Sequence, residues 1–230
     1  MDLTGLRYFG PGPAAPWDPL AVVPRSAAKV EDGHIRHLEA HLARLKDAAE
    51  AAGTPCPWIL DQAAPLAAWV AGEAEGSPDL ALRLRLHGAA LGALLEPLPE
   101  TPSPYRLQLQ PHPLGGPGAH PLAAHKGLTG AWGQEAVLRA RTAGADDALL
   151  AWPDGTLAET GLAGIALEVD GELWIPPPEG RVASLAERLD LPAWAGSRPL
   201  RVRAFRVEDL AWGRLWCFNA LRGVWPGHLT

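Results

Sequence analysis

The chain has 230 residues, of which 47% are hydrophobic and 20% are charged, a balance typical of a globular protein with a buried core. Its formal net charge is −6, so the composition gives no electrostatic basis for binding nucleic acid or an anionic membrane surface. Neither a signal peptide nor a membrane-spanning run is visible in the sequence, and we expect a cytoplasmic protein.

The cysteines and histidines do not follow the spacing of a metal site. Cys56 and Cys217 are far apart, and we expect buried thiols in a reducing compartment. His112, His120 and His125 lie close together in the chain, but neither a carboxylate nor a cysteine accompanies them at ligand spacing. We therefore expect that the protein holds no metal.

The first part of the chain alternates extended segments with a helix. Residues 20–23 and 25–30 are typical of strands, and the Glu-Asp-Gly run that follows is typical of a hairpin turn. The next apolar residues repeat at helical spacing on one face: Leu38, Leu42, Leu45 and Ala49. We expect His41 and Arg44 to lie away from that face.

Further along, residues 58–72 carry a second helical pattern, which we expect Pro65 to interrupt. Residues 81–86 and 105–109 alternate apolar with polar side chains, as half-buried strands do. We expect these two strands to pair with each other.

Residues 111–124 are rich in proline and glycine and read as a linker. They would separate an N-terminal α/β domain of residues 1–110 from a C-terminal α+β domain of residues 125–230. The second domain shows helical patterns at residues 132–143 and 184–189. Its predicted strands are residues 148–152, 164–169, 172–175, 200–207 and 215–219. Strands interleaved with helices predict an α+β or α/β fold in two domains.

Lys126 is the last of three lysines in the chain. Because arginine supplies most of the positive charge, a lysine beside a loop of Gly, Pro and His is a candidate for chemistry that arginine cannot do, such as forming an imine. Glu159 follows after one predicted helix and two predicted strands, so a sheet could return its carboxylate to the lysine. Such a pair suits pyridoxal phosphate, although the spacing alone favours a surface carboxylate at the end of a strand.

Five segments resemble, in order, the class IV aminotransferase family, the pyridoxal-phosphate enzymes of fold type IV. Residues 32–45 (DGHIRHLEAHLARL) resemble the segment in which this family carries a His-x-x-Arg-Leu run. HKGLTG, GADDALLAWPDGTLAET and EVDGELWIPP follow at close to the family's spacing. Residues 219–226 (NALRGVWP) are similar to the family's closing segment, so the resemblance covers most of the chain.

The resemblance implies a two-domain fold type IV enzyme that uses pyridoxal 5'-phosphate and acts on a small molecule as a homodimer. Lys126 would carry the cofactor and transfer protons, and Glu159 would hold the pyridine nitrogen. Arg44 would bind the cofactor's phosphate. Asn219 and Ala220 match the place where the family adds another phosphate contact, which here would come from the main chain, because Ala220 has no hydroxyl.

The segment at residues 179–189 departs from the family's phosphate-binding loop. Glu187 replaces the family's threonine and Arg188 matches its arginine, and a glutamate is a poor neighbour for a phosphate dianion. After Glu159 the family carries a Ser/Thr-x-x-Asn run, where this chain has Thr-Gly-Leu-Ala-Gly. Trp132 stands near the place of an aromatic residue that usually follows the lysine.

Three functions fit the resemblance. In the first, the enzyme is a lyase that converts 4-amino-4-deoxychorismate to 4-aminobenzoate and pyruvate for folate synthesis. Residues 26–30 (SAAKV) and the closing segment favour this lyase, although Ala27 and Ala28 supply no hydroxyl at the family lyase's second threonine position. The second is an aminotransferase of branched-chain or D-amino acids. The third is a relative with impaired cofactor binding and a non-catalytic role.

Overall fold

A computed structural model describes residues 4–13, 16–77 and 79–230 of the chain, which form two compact units. Unit 1 extends to Glu100 and also contains His125–Gly130. Unit 2 contains Thr101–Ala124 and Ala131–Thr230. The chain therefore passes between the units three times, whereas the sequence predicts one linker at residues 111–124.

Unit 1 is an antiparallel five-stranded sheet with helices packed against it. Its strands are β1 (Leu6–Phe9), β2 (Arg25–Glu31), β3 (His34–Ile35), β4 (Leu80–His87) and β5 (Ala90–Pro97), in the order β1-β5-β4-β2-β3. The helices are α1 (Leu38–Ala51), a 3₁₀ helix (Pro57–Gln62) and α2 (Ala63–Glu73). Apolar side chains from the strands and from all three helices form one core, which buries the surface that this unit would otherwise expose to water.

Two local features of unit 1 follow the sequence. The predicted apolar face of α1 is confirmed, because Leu42, Leu45 and Ala49 are all at most 1% exposed. Asp32 and Gly33 have φ values of 49° and 74°, the left-handed pair that a two-residue hairpin between β2 and β3 requires.

Three expectations for unit 1 are wrong. Residues 20–23 form no strand. Pro65 lies in the first turn of α2, where the missing N–H has no partner to lose, so it does not interrupt that helix. His41 is 0% exposed rather than lying away from the buried face of α1.

Unit 2 is built on an eight-stranded mixed sheet in the order β11-β10-β9-β12-β13-β6-β7-β8. The strands are β6 (Tyr105–Pro111), β7 (Asp147–Ala151), β8 (Leu157–Thr160), β9 (Gly164–Val169), β10 (Glu172–Ile175), β11 (Leu200–Val202), β12 (Arg214–Asn219) and β13 (Gly223–Leu229). The helices are α3 (Trp132–Thr142), α4 (Leu185–Leu189), α5 (Leu191–Ala195) and a 3₁₀ helix (Val207–Trp212). Within the described part of the chain, no helix is long and apolar enough to cross a membrane.

Strand β6 accounts for much of the difference between the predicted domains and the observed units. It pairs in parallel with β13 and β7, so the expected pairing with β4 is wrong. Tyr105 and Leu107 are buried with Leu149 and Ile165 in the core of unit 2. Because β6 is an interior strand there, residues 105–111 and the proline-rich segment after them belong to the second unit.

Candidate functional site

Lys126 lies in a tight turn of unit 1, and its main chain is bound to strand β2. The Arg25 N–H donates to the Lys126 carbonyl oxygen at 3.1 Å. Gly127 has a φ of +99°, and a Cβ there would collide with the Val23 carbonyl oxygen. Only glycine allows this approach, which explains why glycine follows the lysine and fixes where the lysine side chain starts.

Lys126 and Arg44 both act on a buried histidine of the same unit. His41 Nδ1 lies 2.7 Å from Ser26 Oγ, and His41 Nε2 is buried with no hydrogen-bond partner among the described residues. Burial, and then the charges of Arg44, Lys126 and His37, lower the pKa of His41 to about 3. At neutral pH the imidazole is therefore uncharged and lies near the lysine and the arginine that the resemblance assigns to the cofactor.

A second pair of cations lies on the neighbouring strands of unit 1. Arg25 on β2 stands opposite Arg85 on β4 in the strand register. Arg85 donates to the carbonyl oxygens of Asp18 and Pro19, both at 2.8 Å, and its guanidinium lies 4.9 Å from the centroid of the Trp17 ring. Burial, followed by the charge of Arg85, lowers the pKa of Arg25 to about 10. Positive charge therefore accumulates beside the strand that holds Lys126, and this arrangement favours an anionic ligand.

Glu159 is placed in unit 2 by strand β8. It stands opposite Leu150 of β7 in the register, and it is 6% exposed. Its Oε1 accepts a hydrogen bond from the Val182 N–H at 3.1 Å and lies 3.8 Å from His112 Nε2. The sequence left open whether Glu159 is a surface carboxylate, and the structure shows that it is buried.

Asn219 and Ala220 lie at the end of β12 in the same unit. The Asn219 Oδ1 accepts hydrogen bonds from the Leu221 and Arg222 N–H groups at 3.0 and 2.9 Å. Its Nδ2 donates to the Leu162 carbonyl oxygen at 3.3 Å, in the turn that follows the strand of Glu159. The side chain of Asn219 thus shapes two turns, and a main-chain contact of Asn219 and Ala220 with a phosphate stays a prediction.

The turn after Glu159 is organised by a buried aspartate rather than by the family's asparagine. Asp147 Oδ2 accepts hydrogen bonds from Thr160 Oγ1 at 2.6 Å and from Tyr105 Oη at 3.1 Å. Thr160 Oγ1 in turn accepts from the Ala163 N–H at 2.8 Å. Burial raises the pKa of Asp147, against the opposing effect of these donors. The Thr-Gly-Leu-Ala-Gly run therefore forms an ordered turn directly behind the glutamate.

The loop at residues 179–189 contains an ion pair that the sequence did not reveal. Arg181 donates through both Nη atoms to the carboxylate of Glu187, at 2.6 and 2.9 Å, and also to the carbonyl oxygens of Pro176 and Pro177. Arg188, which the resemblance assigned to the family's arginine position, is exposed. The negative charge of Glu187 is therefore offset by a bidentate arginine within the loop itself.

The side chains present fit the chemical demands of pyridoxal 5'-phosphate. Unit 1 offers a lysine amine and an arginine around a neutral histidine, and unit 2 offers the buried carboxylate of Glu159 beside the orphaned Nε2 of His112. An imine, a phosphate and a pyridine nitrogen require an amine, a cation and a carboxylate respectively. Among the described residues there is no group of His, Cys, Asp or Glu that could hold a metal ion.

Sequence reasoning missed the roles of His41, His112 and Arg181. His41 was placed on the wrong face because the repeat of leucines alone defined the apolar side of α1. His112 was considered only as a metal ligand, although it follows a strand in which Gln108 and Gln110 already alternate with apolar residues. That alternation, continued by one residue beyond the strand, is the signal that places His112 on the same side of the sheet as Gln110.

Comparison with known proteins gives the chain a family and a fold. A family model described as Amino-transferase class IV matches residues 27–229. A fold IV-transaminase from Curtobacterium pusillum is 21% identical, with a TM-score of 0.79 over 90% of this chain and 78% of that chain. A hypothetical aminotransferase from Mycobacterium tuberculosis, in its PLP-bound form, is 21% identical, with a TM-score of 0.77 over 90% of this chain and 81% of that chain.

The 4-amino-4-deoxychorismate lyase of Pseudomonas aeruginosa is also similar. It is 23% identical, with a TM-score of 0.72 over 97% of this chain and 90% of that chain. A comparison with curated proteins finds no match. The expected fold, an α+β or α/β fold of type IV, is confirmed, and the structure builds it on two sheets.

Proposed function

Because the chain belongs to the class IV aminotransferase family, we propose that it is a pyridoxal-phosphate-dependent lyase that converts 4-amino-4-deoxychorismate to 4-aminobenzoate and pyruvate. The observation that carries the proposal is the positive charge of Arg25 and Arg85 on the strands beside Lys126, which is additional to that of Arg44. The proposed substrate bears two carboxylates, and positive charge at the reacting lysine favours such a dianion.

Each proposed site residue has a distinct task. Lys126 Nζ would hold the cofactor and would carry protons. Glu159 holds a proton on the pyridine nitrogen, since a buried carboxylate stabilises a cation placed against it. Arg44 binds the phosphate, with main-chain groups of Asn219 and Ala220 as further contacts. Because the imidazole of His41 is neutral, it is not a further cation that competes with Arg44 and Lys126 for the anionic ligand.

When bound, pyridoxal phosphate supplies a ring that withdraws electrons from the carbon bearing the substrate's amino group. Lys126 Nζ would remove the proton from that carbon as the C–O bond to the three-carbon enolpyruvyl group on the adjacent carbon breaks, and the same amine would return the proton to that group, which leaves as pyruvate. The remaining ring becomes aromatic. Because no amino group has to be handed on, this reaction needs no 2-oxo acid acceptor.

The lyase assignment also draws on two sequence segments. Residues 26–30 on β2 and the closing segment at residues 219–226 are more similar to the lyase than to the aminotransferases. The likeness to the lyase of Pseudomonas aeruginosa spans 97% of this chain and is consistent with that choice.

An aminotransferase of branched-chain or D-amino acids is the second candidate. The higher TM-score of the fold IV-transaminase favours it, as do Ala27 and Ala28, which leave β2 without a hydroxyl at the position where the lyase uses one. A relative with impaired cofactor binding is the third candidate, and the altered loop at residues 179–189 favours it. We further propose that the enzyme is a homodimer and works in the cytoplasm.

Cofactor binding is tested first. Purified protein should turn yellow with pyridoxal phosphate, and borohydride should fix the reduced cofactor on Lys126, which peptide mass spectrometry would detect. Lys126→Arg should keep the charge but take up no covalent cofactor. Lys46→Arg is the matched control, since that lysine pairs with Glu50 on the surface of α1. A protein that stays colourless at saturating cofactor would contradict both enzyme proposals.

Reaction products separate the two enzymes. Release of 4-aminobenzoate and pyruvate in the absence of any 2-oxo acid is the result expected of the lyase. Amino transfer that depends on an added 2-oxo acid would instead identify an aminotransferase. In either case Lys126→Ala should abolish turnover. Glu159→Ala should lower kcat by about 10²-fold or more, because removing a charge partner of the reacting group costs several kcal/mol.

A further inference from the structure

We propose that His112 is a positioning residue that acts on the cofactor through Glu159. Its role would be to hold Oε1 of the carboxylate, so that Oε2 is the oxygen presented to the pyridine nitrogen. The proposal rests on the proposed function, because the effect on the cofactor requires that Glu159 contacts the pyridine ring.

The strand register of unit 2 brings the two residues together. Pro111 of β6 pairs with Ala151 of β7, and the His112 N–H donates to the Ala151 carbonyl oxygen at 2.7 Å, which extends the parallel ladder beyond β6. Glu159 pairs with Leu150 on the other side of β7. Successive side chains on a strand point to opposite faces, so His112 and Leu150 lie on the face opposite to Pro111 and Ala151. Glu159 lies on the same face as its partner Leu150. His112 and Glu159 therefore meet over the carboxyl ends of β6 and β7, where ligands bind in parallel sheets.

The hydrogen bonding of His112 decides which ring nitrogen carries the proton. The Leu114 N–H donates to His112 Nδ1 at 3.3 Å, so Nδ1 is an acceptor and bears no hydrogen. The proton of the neutral ring therefore sits on Nε2. This atom is buried and has no hydrogen-bond partner among the described residues, and it lies 3.8 Å from Glu159 Oε1.

An N–H donor buried in this way is unfavourable unless it finds an acceptor. The Glu159 oxygen needs to move by less than 1 Å to make a hydrogen bond, since such bonds are about 2.7–3.2 Å long. Oε1 already accepts from the Val182 N–H at 3.1 Å. Two donors on one oxygen fix the plane of the carboxylate and leave Oε2 for the cofactor.

Two tryptophans prevent the imidazole from turning away. The ring centroid of His112 lies 3.8 Å from that of Trp152 and 5.1 Å from that of Trp132, with interplanar angles of 31° and 49°. The His112 side chain is 0% exposed. Gly180, with a φ of +79°, brings its loop close to the Trp152 ring, so the loop that supplies the Val182 N–H packs against the same aromatic wall. The arrangement is the kind of outer support that orients a group which binds a cofactor.

The test compares cofactor affinity in the full-length protein. His112→Leu removes the N–H donor, and His112→Gln keeps an N–H near the Nε2 position. We expect His112→Leu to weaken the affinity for pyridoxal phosphate by roughly 10-fold, as loss of an outer-shell partner does, and His112→Gln to restore most of it. His120→Leu is the matched control, because His120 Nδ1 accepts from the N–H two residues ahead in the same way, whereas no described carboxylate pairs with its ring.

A cofactor analogue with carbon in place of the pyridine nitrogen separates this role from a general packing effect. If His112 acts through Glu159 and the ring nitrogen, His112→Leu should bind the analogue as tightly as the unaltered protein does. An equal loss of affinity for both cofactors would overturn the proposal, and so would an unchanged affinity for pyridoxal phosphate.

A measurement without cofactor tests the pair itself. In urea unfolding, the shifts in midpoint caused by His112→Leu and Glu159→Gln should not add: the double variant should lose less than the sum of the two. Additive losses would overturn the proposal whether or not the protein binds pyridoxal phosphate. Coupled losses in a protein that binds no cofactor would count against the proposed function and leave the His112–Glu159 pair supported.

Discussion

His41 is a buried imidazole with cations on several sides, and this makes unit 1 sensitive to acid. Its pKa is lowered to about 3, mainly by burial and then by the charges of Arg44, Lys126 and His37. In the unfolded chain the pKa returns to about 6.5. Between these two values the unfolded state binds a proton that the folded state does not, so the free energy of unfolding falls as the pH drops from about 6.5 towards 3.

Replacing this histidine should therefore flatten the acid limb of the stability profile. His41→Asn keeps an acceptor for the Ser26 hydroxyl but has no titrating group. Between pH 6 and pH 4 the free energy of unfolding of the unaltered protein should fall more steeply than that of the variant, by up to about 1.4 kcal/mol per pH unit. Urea unfolding at several pH values measures the two slopes.

His34→Asn is a suitable control for this prediction, because that side chain is exposed and forms a local hydrogen bond with the nearby Asp32 carbonyl oxygen. The control should reproduce the slope of the unaltered protein. Equal slopes for the unaltered protein and His41→Asn would show that the buried ring does take up a proton in the folded state.

The loop between β10 and α4 contains a buried ion pair between Arg181 and Glu187. The Arg181 side chain is 3% exposed and the Glu187 side chain 24%. Removing the carboxylate leaves a buried guanidinium whose remaining acceptors, among the described residues, are the carbonyl oxygens of Pro176 and Pro177. Such a group is unfavourable in a low-dielectric environment, which is why glutamate at this position supports the loop.

We expect Glu187→Ala to lower the free energy of unfolding by about 3 kcal/mol, the typical effect of breaking a buried pair. Glu187→Gln, which keeps one acceptor oxygen, should have a smaller effect. Arg188→Ala, on the exposed side of α4, serves as the control and should stay within about 0.5 kcal/mol of the unaltered protein. A loss in Glu187→Ala no larger than in this control would mean that the pair is not a structural support.

Elements with strong local signals were predictable from the sequence, and elements defined by distant partners were not. The turn at Asp32 and Gly33 and the apolar face of α1 follow from local residue types. Residues 105–109 have the alternation of a strand, but alternation does not name the neighbour, and the neighbours of β6 are β13 and β7. The sequence does not predict strand β5, because its alanines and Gly92 have low β-propensity. In the structure, the rings of Trp17 and Tyr8 pack around Gly92, and this packing makes up for the weak propensity.

The candidate site shows the same division. Lys126, Glu159 and Arg44 could be chosen from the chain by resemblance, since each stands in a recognisable motif. His112 and Val182 could not, because their roles come from contacts with Glu159, which is distant from both in sequence, and a backbone N–H such as that of Val182 carries no sequence signal at all.

At the scale of the whole molecule, several large apolar side chains remain in contact with water. Trp212 is 78% exposed, Val202 68% and Leu138 67%. Single exposed apolar side chains are common on protein surfaces and do not by themselves mark an interface. The proposed homodimer therefore rests on the resemblance to the family, and the mass of the protein in solution tests it.

Light scattering after size-exclusion chromatography should therefore give twice the chain mass of 24.4 kDa at micromolar concentration. The measurement should be made with and without pyridoxal phosphate, because a cofactor held near a subunit interface would strengthen the dimer. A mass of one chain under both conditions would contradict the homodimer.

The six residues His125–Gly130 belong to unit 1 although the segments on both sides belong to unit 2. A fragment that ends at Glu100 therefore lacks Lys126. A fragment that begins at Ala131 lacks both Lys126 and strand β6. A chimaera of two relatives joined after Glu100 would take Lys126 and the Arg25 N–H from different parents. A chimaera joined before Ala131 would take strand β6 and the rest of its sheet from different parents. A chimaera joined at either boundary should therefore be less stable than both of its parents.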